Sequence, residues 1–98
     1  MRRGTTPTLL FTLPEVVSMA GLYITFSQGG NPVLEKTLED VTIDGATLTL
    51  QLSQEDTLKF KESAGMQIQL RILTSNGDAL ASEYIQCPVG GILKEGVI

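Results

Sequence analysis

Few side chains in this 98-residue sequence could perform chemistry, and histidine is not among them. Without histidine, neither a Ser-His-Asp nor a Cys-His arrangement can form, and the commonest general base and zinc ligand are missing together. The single cysteine, Cys87, has no basic residue beside it in the sequence to activate the thiol. Cys87 also falls at an inward position of a predicted strand, which favours a packed core thiol.

Acidic residues form two short clusters. Glu39, Asp40 and Asp44 could hold calcium, but the interleaved oxygen ligands of an EF-hand loop do not follow, so a solvated turn is favoured. The SQED segment at 53–56 has the spacing of a capping box, in which serine and an acid three residues later satisfy the first backbone groups of a helix. A helical turn therefore explains the second cluster better than a catalytic carboxylate pair, which needs a groove.

The glycine pairs at 29–30 and 90–91 lack the third glycine and the following helix of a dinucleotide-binding loop, and no phosphate-binding loop motif is present. These glycines are interpreted as turn residues. The residue types and spacings thus predict no catalytic residue, no cofactor and no metal ligand, and a protein that is not an enzyme.

The charge balance limits the partners. A net charge of −4 and a pI near 4.6 oppose binding to nucleic acid, which requires clustered Lys and Arg. The basic pair Arg2–Arg3 is interpreted as a solvated, mobile end. Because Gly4 to Pro7 follow this pair and no apolar run approaches eighteen residues, neither a signal peptide nor a membrane anchor is expected.

Apolar residues alternate with polar residues in several short segments, which predicts strands that bury one face. Predicted core-facing residues are Leu9, Phe11, Leu13, Leu22, Ile24, Phe26, Leu48, Leu50, Leu52, Met66, Ile68, Leu70 and Ile72. A further segment, 33–38, mixes Leu34 and Leu38 with Lys36 and is predicted to be an edge strand, where a charge discourages further pairing. One short helical turn is predicted near residues 53–60.

Glycine-containing turns are predicted between these strands at 29–32, at Asp44–Gly45 and at Asn76–Gly77, the last as a type I′ turn with two positive φ angles. A return strand is predicted over 79–89. Its inward residues would be Ala81, Ile85, Cys87 and Val89, and a bulge near Ser82 or Glu83 would keep Glu83 out of the core.

Together these segments predict an all-β protein: an antiparallel, immunoglobulin-like β-sandwich of about seven strands, with a small barrel as the alternative. The expected organisation is an N-terminal arm at 1–7, the sandwich domain at 8–89 and a C-terminal apolar tail at 90–98. The tail is expected either to pack on its own domain or to dock on a neighbouring subunit.

Two groups of residues are candidate interface positions. On the outer face of the sheet, Tyr23 would lie beside polar residues of a neighbouring strand; in the tail, four apolar residues recur near the end of the chain. The candidates are Tyr23, Gln67, Gln69, Arg71, Ile92, Leu93, Val97 and Ile98.

Five segments carry a family resemblance: RRGTTPT at 2–8, FTLP at 11–14, ITFSQGG at 24–30, LSQEDTLKF at 52–60 and IQLRILTSNGDALAS at 68–82. They resemble small uncharacterised proteins encoded among the structural genes of phages and prophages of Gram-positive bacteria. LSQEDTLKF and the strand that follows it also resemble immunoglobulin-like modules of phage baseplate and virion proteins.

This resemblance implies a non-enzymatic phage structural or assembly protein that contacts copies of itself or another phage protein. Such a protein would be present in the virion, in head or tail, and in the host cytoplasm during assembly. The alternative is a small acidic phage protein that binds a host protein in the cytosol, because inhibitors of nucleic-acid enzymes often mimic phosphate charge.

Overall fold

The computed structural model describes all 98 residues and contains eight strands, one α-helix and one 3₁₀ turn. The strands β1 to β8 span Thr8–Thr12, Met19–Gln28, Asn31–Thr37, Thr42–Asp44, Thr47–Gln51, Met66–Thr74, Ala79–Ala81 and Ile85–Cys87. The α-helix, α1, spans Gln54–Leu58, and the 3₁₀ turn spans Leu38–Asp40.

The strands form two separate antiparallel sheets. Three strands pair in the order β1-β5-β4, and five pair in the order β3-β2-β6, with β7 and β8 both on the free side of β6. The predicted all-β, antiparallel, sandwich-like fold is confirmed, with eight strands rather than about seven. The two sheets do not close into the barrel considered as the alternative. An immunoglobulin-like strand order stays a prediction.

The core lies between the sheets and follows the period-two pattern of the sequence. Fourteen buried apolar side chains form one cluster, drawn from both sheets, from Leu52 and Phe60 around α1, and from Val89. Every core-facing residue predicted for β1, β2, β5 and β6 lies in this cluster or packs against it. Burial of each large apolar side chain contributes about 1.5–3 kcal/mol to the free energy of unfolding, so this cluster holds the sheets together.

The helix begins where the capping-box spacing predicts. The Ser53 hydroxyl accepts from the Asp56 N–H at 3.0 Å, and the Asp56 carboxylate accepts from the Ser53 N–H at 3.0 Å. Asp56 also forms an ion pair with Lys36 at 3.0 Å. Strand β3 is an edge strand as predicted, but Lys36 points towards α1 rather than into solvent, since its ammonium group meets a partly buried carboxylate there.

Two predicted turns are displaced by local register. Gly29 and Gly30, with φ of 59° and 81°, form the whole β2–β3 turn, and β3 already begins at Asn31. Asp44 pairs with Thr47, so the β4–β5 turn consists of the next two residues rather than Asp44–Gly45. Both hairpins exist, but in each of them a residue predicted to lie in the turn, Asn31 or Asp44, is already paired with the opposite strand.

The turn at Asn76–Gly77 is not type I′. Only Gly77 has a positive φ, 92°. The Gly77 N–H donates to the Thr74 carbonyl at 3.0 Å, and the Thr74 N–H donates to the Asp78 carbonyl at 2.8 Å. This is the hydrogen-bond pattern of a three-residue loop that ends in a left-handed glycine, which accommodates the strand twist with one positive φ instead of two.

The return strand is interrupted, as the predicted bulge requires, because residues 82–84 separate β7 from β8. Its predicted phase is wrong in part. Ala81 pairs with Arg71 and lies on the outer face, not the inner one. Ile85 pairs with the buried Ile68 and so keeps the predicted inward phase, although its side chain is exposed. Cys87 is half-buried and Val89 is buried. The smaller sheet has only three strands and leaves this edge of the larger sheet partly uncovered.

Candidate contact surfaces

The outer face of the larger sheet brings together the polar candidates. Tyr23 pairs with Arg71, Thr25 with Gln69, and Ser27 with Gln67, because β2 and β6 are antiparallel neighbours. The sequence predicted this juxtaposition on the condition that the two strands pair, and they do. Tyr23 and Arg71 are exposed, while Gln67 and Gln69 are half-buried.

Two of these side chains are already engaged within the protein. The Gln67 side-chain oxygen accepts from the Ser27 hydroxyl at 3.2 Å, and the Gln69 side-chain amide donates to the Ser82 carbonyl at 3.1 Å. Tyr23 and Arg71 have no ion pair or side-chain hydrogen bond. The free part of this face therefore lies at the Tyr23–Arg71 end.

The N-terminal arm is not the solvated end that the sequence suggests. The Arg3 N–H donates to the Gly90 carbonyl at 3.0 Å, and the Gly90 N–H donates to the Met1 carbonyl at 2.7 Å. Arg2 contributes a side-chain hydrogen bond to the Gly91 carbonyl at 2.6 Å. Short-range patterns in the sequence could not reveal this contact because its partners are almost ninety residues apart.

The Arg3 guanidinium connects three parts of the chain. It donates to the carbonyl oxygens of Phe60 at 2.6 Å and Leu58 at 3.1 Å, just beyond and at the end of α1, where carbonyls lack helical partners. It also forms a two-point ion pair with Glu95, 3.1 Å at Nη2–Oε2. The hydrogen bonds from Arg3 lower the pKa of the Glu95 carboxyl, and those with Glu95 raise the pKa of Arg3.

The tail, residues 90–98, is therefore held by its backbone and polar groups. Besides the Arg3–Glu95 pair, the Gln54 amide donates to the Ile98 carbonyl at 3.3 Å and accepts from the Ile98 N–H at 2.8 Å. Ile92 is half-buried, close enough to Gly4 that a Cβ atom there would lie 2.9 Å from Ile92 Cδ1.

The remaining apolar candidates of the tail face solvent. Leu93 and Ile98 are fully exposed, at 108% and 101%, and Val97 is 55% exposed. The tail lies on its own domain, as one of the two predictions states, but three of its four apolar side chains do not pack there. Docking of the tail on a neighbouring subunit stays a prediction.

A depression of about 540 Å³ lies on the larger sheet, at the end of β2 that is remote from Gln28. Its lining is mostly apolar and comes from β2, the end of β3, β6, β7 and the 3₁₀ turn, with three ionisable side chains: Tyr23, Glu39 and Arg71. The other lining residues are Ala20, Gly21, Leu22, Thr37, Leu38, Ile72, Leu73, Ala79 and Leu80.

This depression was not predicted from the sequence. It exists because Gly21 and Ala79 place little or no side chain on the outer face, on either side of Leu73. An isolated glycine in the strand-like pattern was the available signal, since such glycines mark a bulge or a close approach of another chain.

The other groups considered for chemistry have structural roles. The Asp40 carboxylate caps the 3₁₀ turn by accepting from the Thr37 N–H at 2.8 Å. No group of three or more Cys, Asp or Glu side chains is arranged to hold a metal ion. No helix has the length and apolar character to cross a lipid bilayer.

Comparisons with known proteins add no family to these observations: no protein-family model, no curated protein and no solved structure matches this chain.

Proposed function

We propose that this protein is a non-enzymatic interaction module, an immunoglobulin-like domain of a phage virion that binds other protein subunits during or after assembly. The proposal combines the resemblance of the five sequence segments to phage structural proteins with the surfaces described above. The observation that carries it is the tail, in which Leu93, Val97 and Ile98 face solvent.

The tail supports a binding role because its polar groups face its own domain while its apolar side chains face solvent, the reverse of the usual arrangement at a protein surface. Its hydrogen-bonding groups are directed to its own domain through Arg3 and Gln54, and its aliphatic side chains are directed outwards. Exposed apolar side chains that are grouped mark contact sites in soluble proteins, and three of them fall within the last six residues here. A segment that is already ordered also loses less conformational entropy on binding than a free one.

The sheet edges add support. β7 and β8 leave Leu80, Tyr84 and Ile85 between 41% and 66% exposed at a strand edge that no other strand covers. Unpaired edges and apolar side chains together are the features through which β proteins add a neighbouring strand or subunit.

Mass spectrometry of purified phage particles tests the role in the virion. We expect the protein in the particles at a copy number comparable to that of known structural subunits. Absence from the particles, together with a host protein that co-purifies with this chain from infected cells, would instead support the alternative of an acidic binder of a host protein.

A further inference from the structure

We infer that the partner of the tail is a second copy of this chain, and that the tail of one copy docks into the Gly21–Leu73 depression of the next. This inference rests on the proposed function and identifies the partner. The contact is heterologous, so that each copy uses two different surfaces, and repetition of it gives an open chain or a closed ring of copies.

The two surfaces lie at opposite ends of the larger sheet. The tail starts beside Met1 and Cys87, and Cys87 pairs with Met66, which pairs in turn with Gln28 at the end of β2. The depression surrounds Gly21, seven residues away along β2, or about 23 Å at the rise of a strand. No tail residue lines the depression, and full exposure of Leu93 shows that it fills no site on its own domain.

The chemistry of the two surfaces is complementary. The tail offers aliphatic side chains with the exposed ammonium of Lys94 next to Leu93, and the depression offers an apolar floor with the exposed carboxylate of Glu39 at its margin. Neither Lys94 nor Glu39 has an ion-pair partner within the chain. Arg71, which is also unpaired, lines the depression and leaves its guanidinium donors free for backbone carbonyls of the docked tail.

Gly21 supplies part of the space in the depression. Glycine in a strand interior costs about 0.5–1 kcal/mol relative to alanine. Gly21 follows a register irregularity in β2, but its φ is not positive, and a Cβ atom there would meet only Leu73 Cβ, at an ordinary 3.6 Å. Glycine in a strand marks such an irregularity or the close approach of another chain, and the space beside Leu73 is the one into which the inferred partner's side chain fits.

A complementation experiment tests the inference. Leu93→Asp removes the docking side chain at a fully exposed position, and Gly21→Val fills the depression with a residue that favours strands. In sedimentation velocity over a concentration series, we expect the unaltered protein to associate. The association constant of each variant alone should be lower by a factor of about ten or more. An equimolar mixture of the two variants should form one-to-one dimers and nothing larger, because each pair retains one intact tail and one intact depression.

Matched controls separate this contact from others. Leu10→Asp places the same change at an exposed leucine of β1 on the other sheet and should leave association unchanged. Ala79→Lys fills the depression from β7 and replaces Gly21→Val if that variant folds poorly, as judged by circular dichroism and thermal unfolding. Lys94→Glu and Glu39→Lys should each weaken association about threefold, and the double variant should restore it.

Three results would overturn the inference: an unaltered protein that stays monomeric at every concentration, variants that associate as well as the unaltered protein, or a mixture in which no dimer forms. A monomeric protein that is nevertheless found in purified particles would leave the proposed function intact and show that the tail binds a different subunit.

Discussion

At the residue scale, Asp56 links the start of α1 to the edge strand β3. Burial by itself raises the pKa of this carboxyl, but the hydrogen bonds from Ser53 and the contact with Lys36 outweigh burial and hold the pKa below its ordinary value. The sequence predicted the cap from its spacing. It did not predict the ion pair, because Lys36 reaches Asp56 only after β3 has paired with β2.

Replacing Asp56 with Asn should lower the free energy of unfolding by about 1–2 kcal/mol near neutral pH, since the cap weakens and the ion pair is lost. Because the folded-state pKa is depressed, this stabilisation is present above the unfolded-state pKa and fades as pH falls through the folded-state pKa, below about pH 4. Urea unfolding of both proteins from pH 3 to pH 8 measures the difference.

Asp40→Asn is the matched control for this change. Asp40 caps the 3₁₀ turn through the Thr37 N–H but is exposed and has no ion pair, so a smaller loss is expected. Equal losses in the two variants, or a loss at Asp56 that persists unchanged at pH 3, would contradict the role given to the Lys36–Asp56 pair.

At the element scale, alternation along a strand predicts its inner face reliably when the strand is long and covered on that face. This holds for β2 and β6, whose predicted core-facing residues are all buried. It fails for β7, where Ala81 lies on the outer face, because three-residue strands separated by a bulge do not keep a common phase. The positions predicted from sequence for the β2–β3 and β4–β5 turns are also wrong by one or two residues. The same few residues can either pair between strands or form the turn, and the sequence does not show which.

The bulge between β7 and β8 depends on Ser82. Its hydroxyl accepts from the N–H of the buried residue Leu70 at 2.9 Å, and its own N–H donates to the Leu70 carbonyl at 2.8 Å. Ser82→Ala should therefore cost about 1–2 kcal/mol in the free energy of unfolding, because the Leu70 N–H is left without a partner.

Chemical denaturation of Ser82→Ala and Ser75→Ala side by side provides the comparison. Ser75 shares a hydrogen bond with Ser18 on the surface, 2.8 Å between hydroxyl oxygens, so its loss should change stability little. If Ser82→Ala proved as stable as Ser75→Ala, the bulge would not depend on that hydroxyl.

At the scale of the whole molecule, residues from both ends of the chain meet beside α1. Arg3 supplies the central contacts, to one carbonyl at the end of α1 and one just beyond it, and to Glu95 in the tail. Neither this meeting point nor the depression was predictable from the sequence, since each is built from residues far apart in the chain. What the sequence did show is the apolar character of the tail and the absence of histidine.

Loss of Arg3 should loosen the tail more than it disturbs the sheets. In Arg3→Ala we expect faster amide hydrogen exchange across residues 92–98 and a lower midpoint of thermal unfolding, with partial recovery in Arg3→Lys, which keeps the charge but not the forked donor geometry. Arg2→Ala removes the same charge and one hydrogen bond, so it serves as the control. Identical exchange in the tail of all four proteins would show that Arg3 does not hold it.

The most direct test of the account is to place a photo-crosslinking amino acid at position 93 in the full chain and identify the attached residues by mass spectrometry. We expect crosslinks to another polypeptide. If the protein assembles with itself, we expect them at residues around Gly21, Leu73 and Ala79 of a second copy. The contradicting result would be crosslinks only within the same chain, both at high protein concentration and in purified particles. Such a result would show that the tail does not present its side chains to a partner.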